Sequence, residues 1–125
     1  MMLNEIGTYL QSQGTGTLGA DLFLGLMPDQ PDNCIALFEY AGSPPDLHWN
    51  GEYPGLQVRV RNKSYAAGRT KIEQIARVLH GLHETVLGGT RYLLVKARGS
   101  PEVLKRDANN RVELFVNFEI IKERD

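Results

Sequence analysis

The segment from 112 to 120 (Val-Glu-Leu-Phe-Val-Asn-Phe-Glu-Ile) constrains this chain most. Side chains alternate along a strand, so Val112, Leu114, Val116, Phe118 and Ile120 share one face. Glu113, Asn117 and Glu119 point the other way, with Phe115 the odd apolar residue among them. One face must be buried and the other mostly wet. A second run, residues 90–98, rises into Gly99-Ser100-Pro101, and the turn 107–111 leads into the alternating segment. The last third therefore reads as two strands joined by a polar loop, and no catalytic constellation decorates it.

A chain of 125 residues fits one domain, expected to span 1–125, and can bury a real core. Its net charge of -1 argues against a protein that coats duplex nucleic acid. The single Cys34 excludes an intrachain disulfide and a cysteine-rich zinc site. It sits in an apolar run, as a small buried thiol would. No apolar stretch approaches the ~20 residues of a membrane helix, so no membrane partner is expected. The N-terminus lacks the basic lead and apolar core of a signal peptide, so the chain is expected to stay in the cytoplasm that made it.

Leu3, Ile6 and Leu10 recur at helical spacing, predicting a short amphipathic helix over 2–13 that stops at Gly14-Thr15-Gly16. Residues 18–26 predict a strand, 27–33 a proline-bounded loop, and 35–40 a buried strand. Residues 41–54 read as a long irregular loop with Pro44, Pro45, Gly51 and Pro54. Leu56, Val58 and Val60 alternate with Gln57, Arg59 and Arg61, giving a half-exposed strand. Ser64 can cap the next helix, whose stripe runs through Tyr65, Ile72, Ile75, Ala76, Leu79 and Leu82; Thr70 and Glu73 offer a later start. Gly88-Gly89 ends the connection. Two helices and consecutive strands with short links predict an α+β fold, mostly antiparallel, with the helices on one face.

Each candidate for chemistry has a plainer reading beside it. His80, His83 and Glu84 lie within about one helical turn, yet the spacing is not His-Glu-x-x-His and no further ligand pattern follows. A packed or half-exposed pair is the expected state, with no metal and no cofactor. Residues 14–19 hold a Gly-x-Gly-x-x-Gly match, but it follows a helix, where the dinucleotide fold needs a strand. Glu102 and Asp107 mimic an acid pair in a turn-rich segment. Arg59, Arg61 and Lys63 form a basic row that either contacts phosphates or pairs with Glu113 and Glu119 on the same sheet. Trp49, with Tyr53 in the proline-rich loop, is either a contact anchor or a lid folded back over the core.

The run 99–118 (Gly-Ser-Pro-Glu-Val-Leu-Lys-Arg-Asp-Ala-Asn-Asn-Arg-Val-Glu-Leu-Phe-Val-Asn-Phe) resembles a family of small tailed-phage and prophage proteins, the minor capsid proteins of tail-terminator (tail-completion) type. The resemblance extends back through 53–61 (Tyr-Pro-Gly-Leu-Gln-Val-Arg-Val-Arg) and covers most of the chain after about residue 33. Its most specific piece is the Arg-Asp-x-x-x-Arg turn leading into a strand that ends Asn-Phe.

The resemblance implies a tail-terminator-like fold and a structural, non-enzymatic virion protein at the head-proximal end of the tail tube. It implies a ring of identical subunits, a hexamer, bound to the major tail tube protein and to head–tail connector proteins, with DNA passing through unbound. Virion tail or neck would be its location, after assembly in the host cytoplasm. A head-side connector or stopper is the sister role, and a small nucleic-acid-binding module the reading from another class. Residues expected at assembly contacts are Arg106, Asp107 and Arg111 in the 99–111 loop, Trp49 and Tyr53, and the Arg59–Arg61 row.

Overall fold

The computed structural model describes residues 1–124. The elements are α1 (Met2–Ser12), β1 (Leu22–Leu24), β2 (Cys34–Ser43), β3 (Gly51–Asn62), α2 (Tyr65–Leu79), β4 (His83–Leu87), β5 (Thr90–Ala97), β6 (Glu102–Arg106) and β7 (Val112–Glu123). All strands join one seven-stranded sheet in the order β1-β2-β3-β7-β5-β4, with β6 pairing β7. Every pairing is antiparallel except β1 with β2. This is the α+β class expected from the pattern.

The alternation in β7 organises the core. Val116 pairs with Val58, Leu114 with Val60 and Phe118 with Leu56, so one sheet face is a continuous apolar surface. Leu114, Phe118, Leu56 and Val58 are fully buried. Both helices cover this face. Ile6 and Leu10 of α1 and Ile72, Ile75 and Leu79 of α2 belong to the same core cluster. Gly68 lets α2 approach closely: a Cβ there would lie 3.0 Å from a Leu114 methyl. Ser64 caps α2 by accepting the Ala67 N–H (3.2 Å), so the helix starts at Tyr65 and not at the Thr70 alternative. Glu5 ties α1 to the far side of the sheet by accepting from the Thr90 hydroxyl (2.6 Å) and the Tyr92 hydroxyl (2.7 Å).

Four expectations are corrected. The strand expected over 18–26 is only Leu22–Leu24; before it, Thr17 O gathers the N–H groups of Ala20, Asp21 and Leu22 into a turn. The irregular loop expected over 41–54 shrinks to 44–50, because β2 and β3 extend across a register shift between Tyr40 and Ser43. Residues 83–87 form β4, with Gly88-Gly89 as its hairpin turn to β5. The loop 99–111 contains β6, which carries no alternation signal because all five of its residues are exposed.

Candidate assembly interface

Two guanidinium groups organise the end of the sheet where β3 finishes and β7 begins. Arg61 is 4% exposed and Arg111 3%. Arg61 donates Nε–H to Asp32 O (3.0 Å) and Nη2–H to the carbonyls of Pro28 (2.6 Å) and Pro31 (2.7 Å). Arg111 donates Nη1–H to Asp29 O (2.6 Å) and Nη2–H to the Asp29 carboxylate (2.9 Å). It also meets Asp32 (3.2 Å) and, through Nε–H, Asp107 (2.8 Å). The proline-bounded segment 28–32 has few backbone partners of its own, so these side chains satisfy its carbonyls. Arg61 is therefore not half-exposed as its strand pattern suggested: the segment folds over it.

Asp107 builds the β6–β7 turn. Its Oδ1 accepts the backbone N–H of Asn109 (3.0 Å) and of Arg111 (2.9 Å), while Asn110 takes the left-handed conformation at φ 59. The Arg111 N–H, with its guanidinium, holds the Asp107 carboxyl below the usual carboxylate range against the opposing effect of burial. Lys63 does the same for Asp32, burial again opposing and Arg111 assisting. Burial disfavours the charged form of Arg111, but its bonds to Asp29 and Asp107 outweigh that and raise its pKa. Asp107 and Arg111 thus work inside the chain. Arg106 stays exposed at the turn, with Nη1–H reaching Asn110 O (3.2 Å).

The basic row that runs along the end of β3 and just past it is also engaged. The Arg59 guanidinium lies 4.7 Å from the Phe38 ring centroid and donates to Gln57 Oε1 (2.7 Å). Gln57 in turn donates to Asn117 Oδ1 (3.1 Å) across the strands. Lys63 pairs with Asp32 at 3.1 Å. All three cations expected to face phosphates have partners within the chain.

The loop 44–50 between β2 and β3 is tightly built. Trp49 Nε1–H donates to Tyr53 Oη (3.1 Å), and Tyr53 O–H donates to Asp46 Oδ2 (2.8 Å). The two rings meet edge to face at 6.5 Å. Asp46 Oδ1 accepts the His48 N–H (2.8 Å), and Arg124 Nη2–H donates to Asp46 O (2.8 Å). The His48 N–H first, and Tyr53 next, hold the Asp46 carboxyl below its ordinary range. Trp49 is half-buried and lies against Gly51, where any Cβ would collide with its ring. This frame presents Leu47, which is 93% exposed. Trp49 and Tyr53 mark this loop in the sequence, whereas Leu47 stands out only in the structure. The signal available was an aliphatic residue set between Asp46 and His48 in a proline-bounded turn.

The histidines do not share a helix. His80 caps α2 and its Nδ1 accepts the Ala97 N–H (3.0 Å), whereas His83 and Glu84 lie in β4. Among the described residues no group of three or more His, Cys, Asp or Glu is placed to hold a metal ion, and no helix is long and apolar enough to cross a membrane.

Residues 9–124 match the family described as bacteriophage tail terminator protein. Among solved structures, a chain from the virion of a native gene transfer agent (GTA) particle is similar, with a TM-score of 0.75 at 13% identity, over 98% of this chain and 95% of that one. At that identity the likeness is one of fold. No curated protein sequence matches.

Proposed function

The chain belongs to the bacteriophage tail terminator family, and from that premise we propose that it caps the head-proximal end of the tail tube and supports head–tail joining. The family makes it a structural protein of the virion tail. The family match over 9–124 carries the reading, and the built loops and open strand edges support it. Identical subunits close into a ring through a heterologous interface, here a hexamer. One face of the ring binds the last layer of the major tail tube protein and stops growth. The other offers a surface to the head–tail connector proteins. The reading assigns the protein no enzymatic activity.

DNA passes through this ring without specific binding. The engagement of Arg59, Arg61 and Lys63 within the chain supports that, since phosphate affinity comes from cations free to neutralise phosphates and displace the counterions condensed on the DNA. A role as a nucleic-acid-binding module loses its proposed surface for the same reason.

Contact with the tube or connector is made by the 44–50 loop, with Trp49 and Tyr53 as its frame and Leu47 as the residue that enters the partner. Arg106 at the β6–β7 turn makes a second contact. Leu47→Asp is expected to leave the melting temperature unchanged, as surface substitutions usually stay within ~0.5 kcal/mol. It is expected to lower the yield of joined particles about tenfold, the loss of one buried aliphatic contact.

Deletion of the gene tests the function. Electron micrographs are expected to show filled heads beside unjoined tails, some of them overgrown. Heads that lose their DNA beside tails of normal length would assign the protein to the head-side connector instead. Normal joined particles would overturn the terminator role.

A further inference from the structure

We infer that the ring closes through the two flanks of one cross-strand row, with β6 of one copy set against the β1 flank of the next. The inference rests on the ring reading above and names the surface that would make it.

At the height of residues 112–116 of β7, the sheet is five strands wide, in the order β1, β2, β3, β7, β6. On the face without helices one row runs Lys105, Glu113, Arg61, Cys34. Asp21 ends it: Leu22 pairs with Ile35, and the Ile35 N–H donates to Asp21 O, so Asp21 stands beside Cys34. The row thus opens on a cation and finishes on an anion, with Glu113 and Arg61 alternating between them. Its two ends lie at the same height on opposite flanks of the sheet. A rotation that carries one copy onto its neighbour brings Lys105 to Asp21 and continues the alternation.

The row on the helix side has the same logic. It runs Val103, Leu114, Val60, Ile35, Leu22, all apolar. Val103 and Leu104 on β6 are 48% and 42% exposed. Aliphatic residues on an open strand edge favour pairing with another chain. Strand direction agrees: β6 runs against β7, while β1 runs with β2 and hence with β7. A copy placed head to tail therefore meets β1 in the antiparallel sense. Leu22 itself is 0% exposed and its N–H and C=O are taken by Thr17 and Gly19, so the half-buried Leu18, which bridges its outer edge, is the side chain that ends this row on the flank. Leu24, further along β1, keeps the outward edge.

The surface commits to a second copy of this chain because its flanks are complementary in charge, Lys105 to Asp21, and both carry exposed or half-buried aliphatic side chains, Val103 and Leu104 on one and Leu18 on the other. Lys105 is mostly exposed and its Glu113 partner is distant at 3.8 Å, so it is available. Asp21 Oδ1 accepts the Thr17 N–H (2.7 Å), and among the described residues no donor is placed on Oδ2.

The test is a charge swap scored on tails isolated from a strain carrying each variant. Lys105→Glu and Asp21→Lys, made singly, are expected to reduce the protein retained on tails about tenfold, since each sets like charges facing each other across the contact. The double variant is expected to recover most of it. Thermal unfolding of each purified variant separates interface loss from unfolding, and Lys105→Ala, on an exposed side chain, serves where Lys105→Glu fails to fold. Tails that keep both single variants at the wild-type level overturn the edge contact while the ring reading stands. So does a double variant that recovers nothing while remaining folded. Tails from the wild-type strain that lack the protein altogether overturn the terminator reading, and this inference with it.

Discussion

Phe118→Asp is expected to yield no folded protein, and Leu114→Asp the same. Both side chains are 0% exposed on the apolar face of β7. Phe118 stands between Leu56 on β3 and Ala97 on β5, so a carboxylate there meets no donor across either strand. Burying an unpaired charge costs several kcal/mol, about the whole stability of a domain, which is ~5–15 kcal/mol. Protonation of the new carboxyl lowers that cost but leaves a cavity where the ring was. Glu113→Gln, one residue from Leu114 on the opposite face, keeps the shape of the side chain and is expected to fold. Circular dichroism and limited proteolysis decide the matter. A cooperative unfolding transition for Phe118→Asp would mean the buried face of β7 is the other one.

The β7 face was legible because burial on one side forces alternation, and five alternate residues, Val112 to Ile120, obey it. The helices were legible for the same kind of reason: Ile6 and Leu10, and Ile72, Ile75 and Leu79, keep the helical period because each faces the core. Strand β4 was not legible. His83, Glu84 and Val86 are exposed, so no period marks them, and the segment follows a helix directly. Gly81 at φ 89 and the β-branched pair Thr85-Val86 were the only hints of a break and a strand. Strand β6 is silent in the same way. An edge strand with nothing packed on it has no pattern to show.

The candidate site divides along a similar line. The Asp107 turn was readable, since Asp and Asn at those positions bond their own backbone. What Arg61 and Arg111 do was not. Alternation placed Arg61 on a wet face, and only the fold brings the 28–32 segment across it, about thirty residues away in sequence. A guanidinium that gathers carbonyls leaves no spacing rule behind. The loop 44–50 was recognised from Trp49 and Tyr53, but their mutual bond directs them inward and leaves Leu47 outward.

Arg111→Met is expected to lower the melting temperature by at least ~5 °C near neutral pH, the shift that about 1 kcal/mol gives a domain of this size. Methionine keeps much of the side-chain volume but strips Asp29, Asp32 and Asp107 of their shared cation and leaves Asp29 O without its donor. The pH dependence follows from the depressed carboxyls. Asp32 and Asp107 have folded pKa values below the ordinary 3.8. Each therefore contributes stability that is present above an unfolded pKa of ~3.9 and is lost as pH falls through the folded value. The wild type is expected to lose melting temperature as pH falls from about 5 through the depressed folded values. In Arg111→Met the carboxylates keep only Lys63 and the turn's backbone N–H groups, so less remains to be lost. Protonation also relieves the repulsion among the three acids. The deficit of the variant should accordingly narrow as pH falls, while Arg106→Met, whose guanidinium is exposed, tracks the wild type throughout. Calorimetric scans across this range check both parts. A variant that melts with the wild type at neutral pH would show that Arg61 and Lys63 hold the 28–32 segment without Arg111, and an unchanged deficit at the acid end would show that Arg111 acts by packing and not by charge.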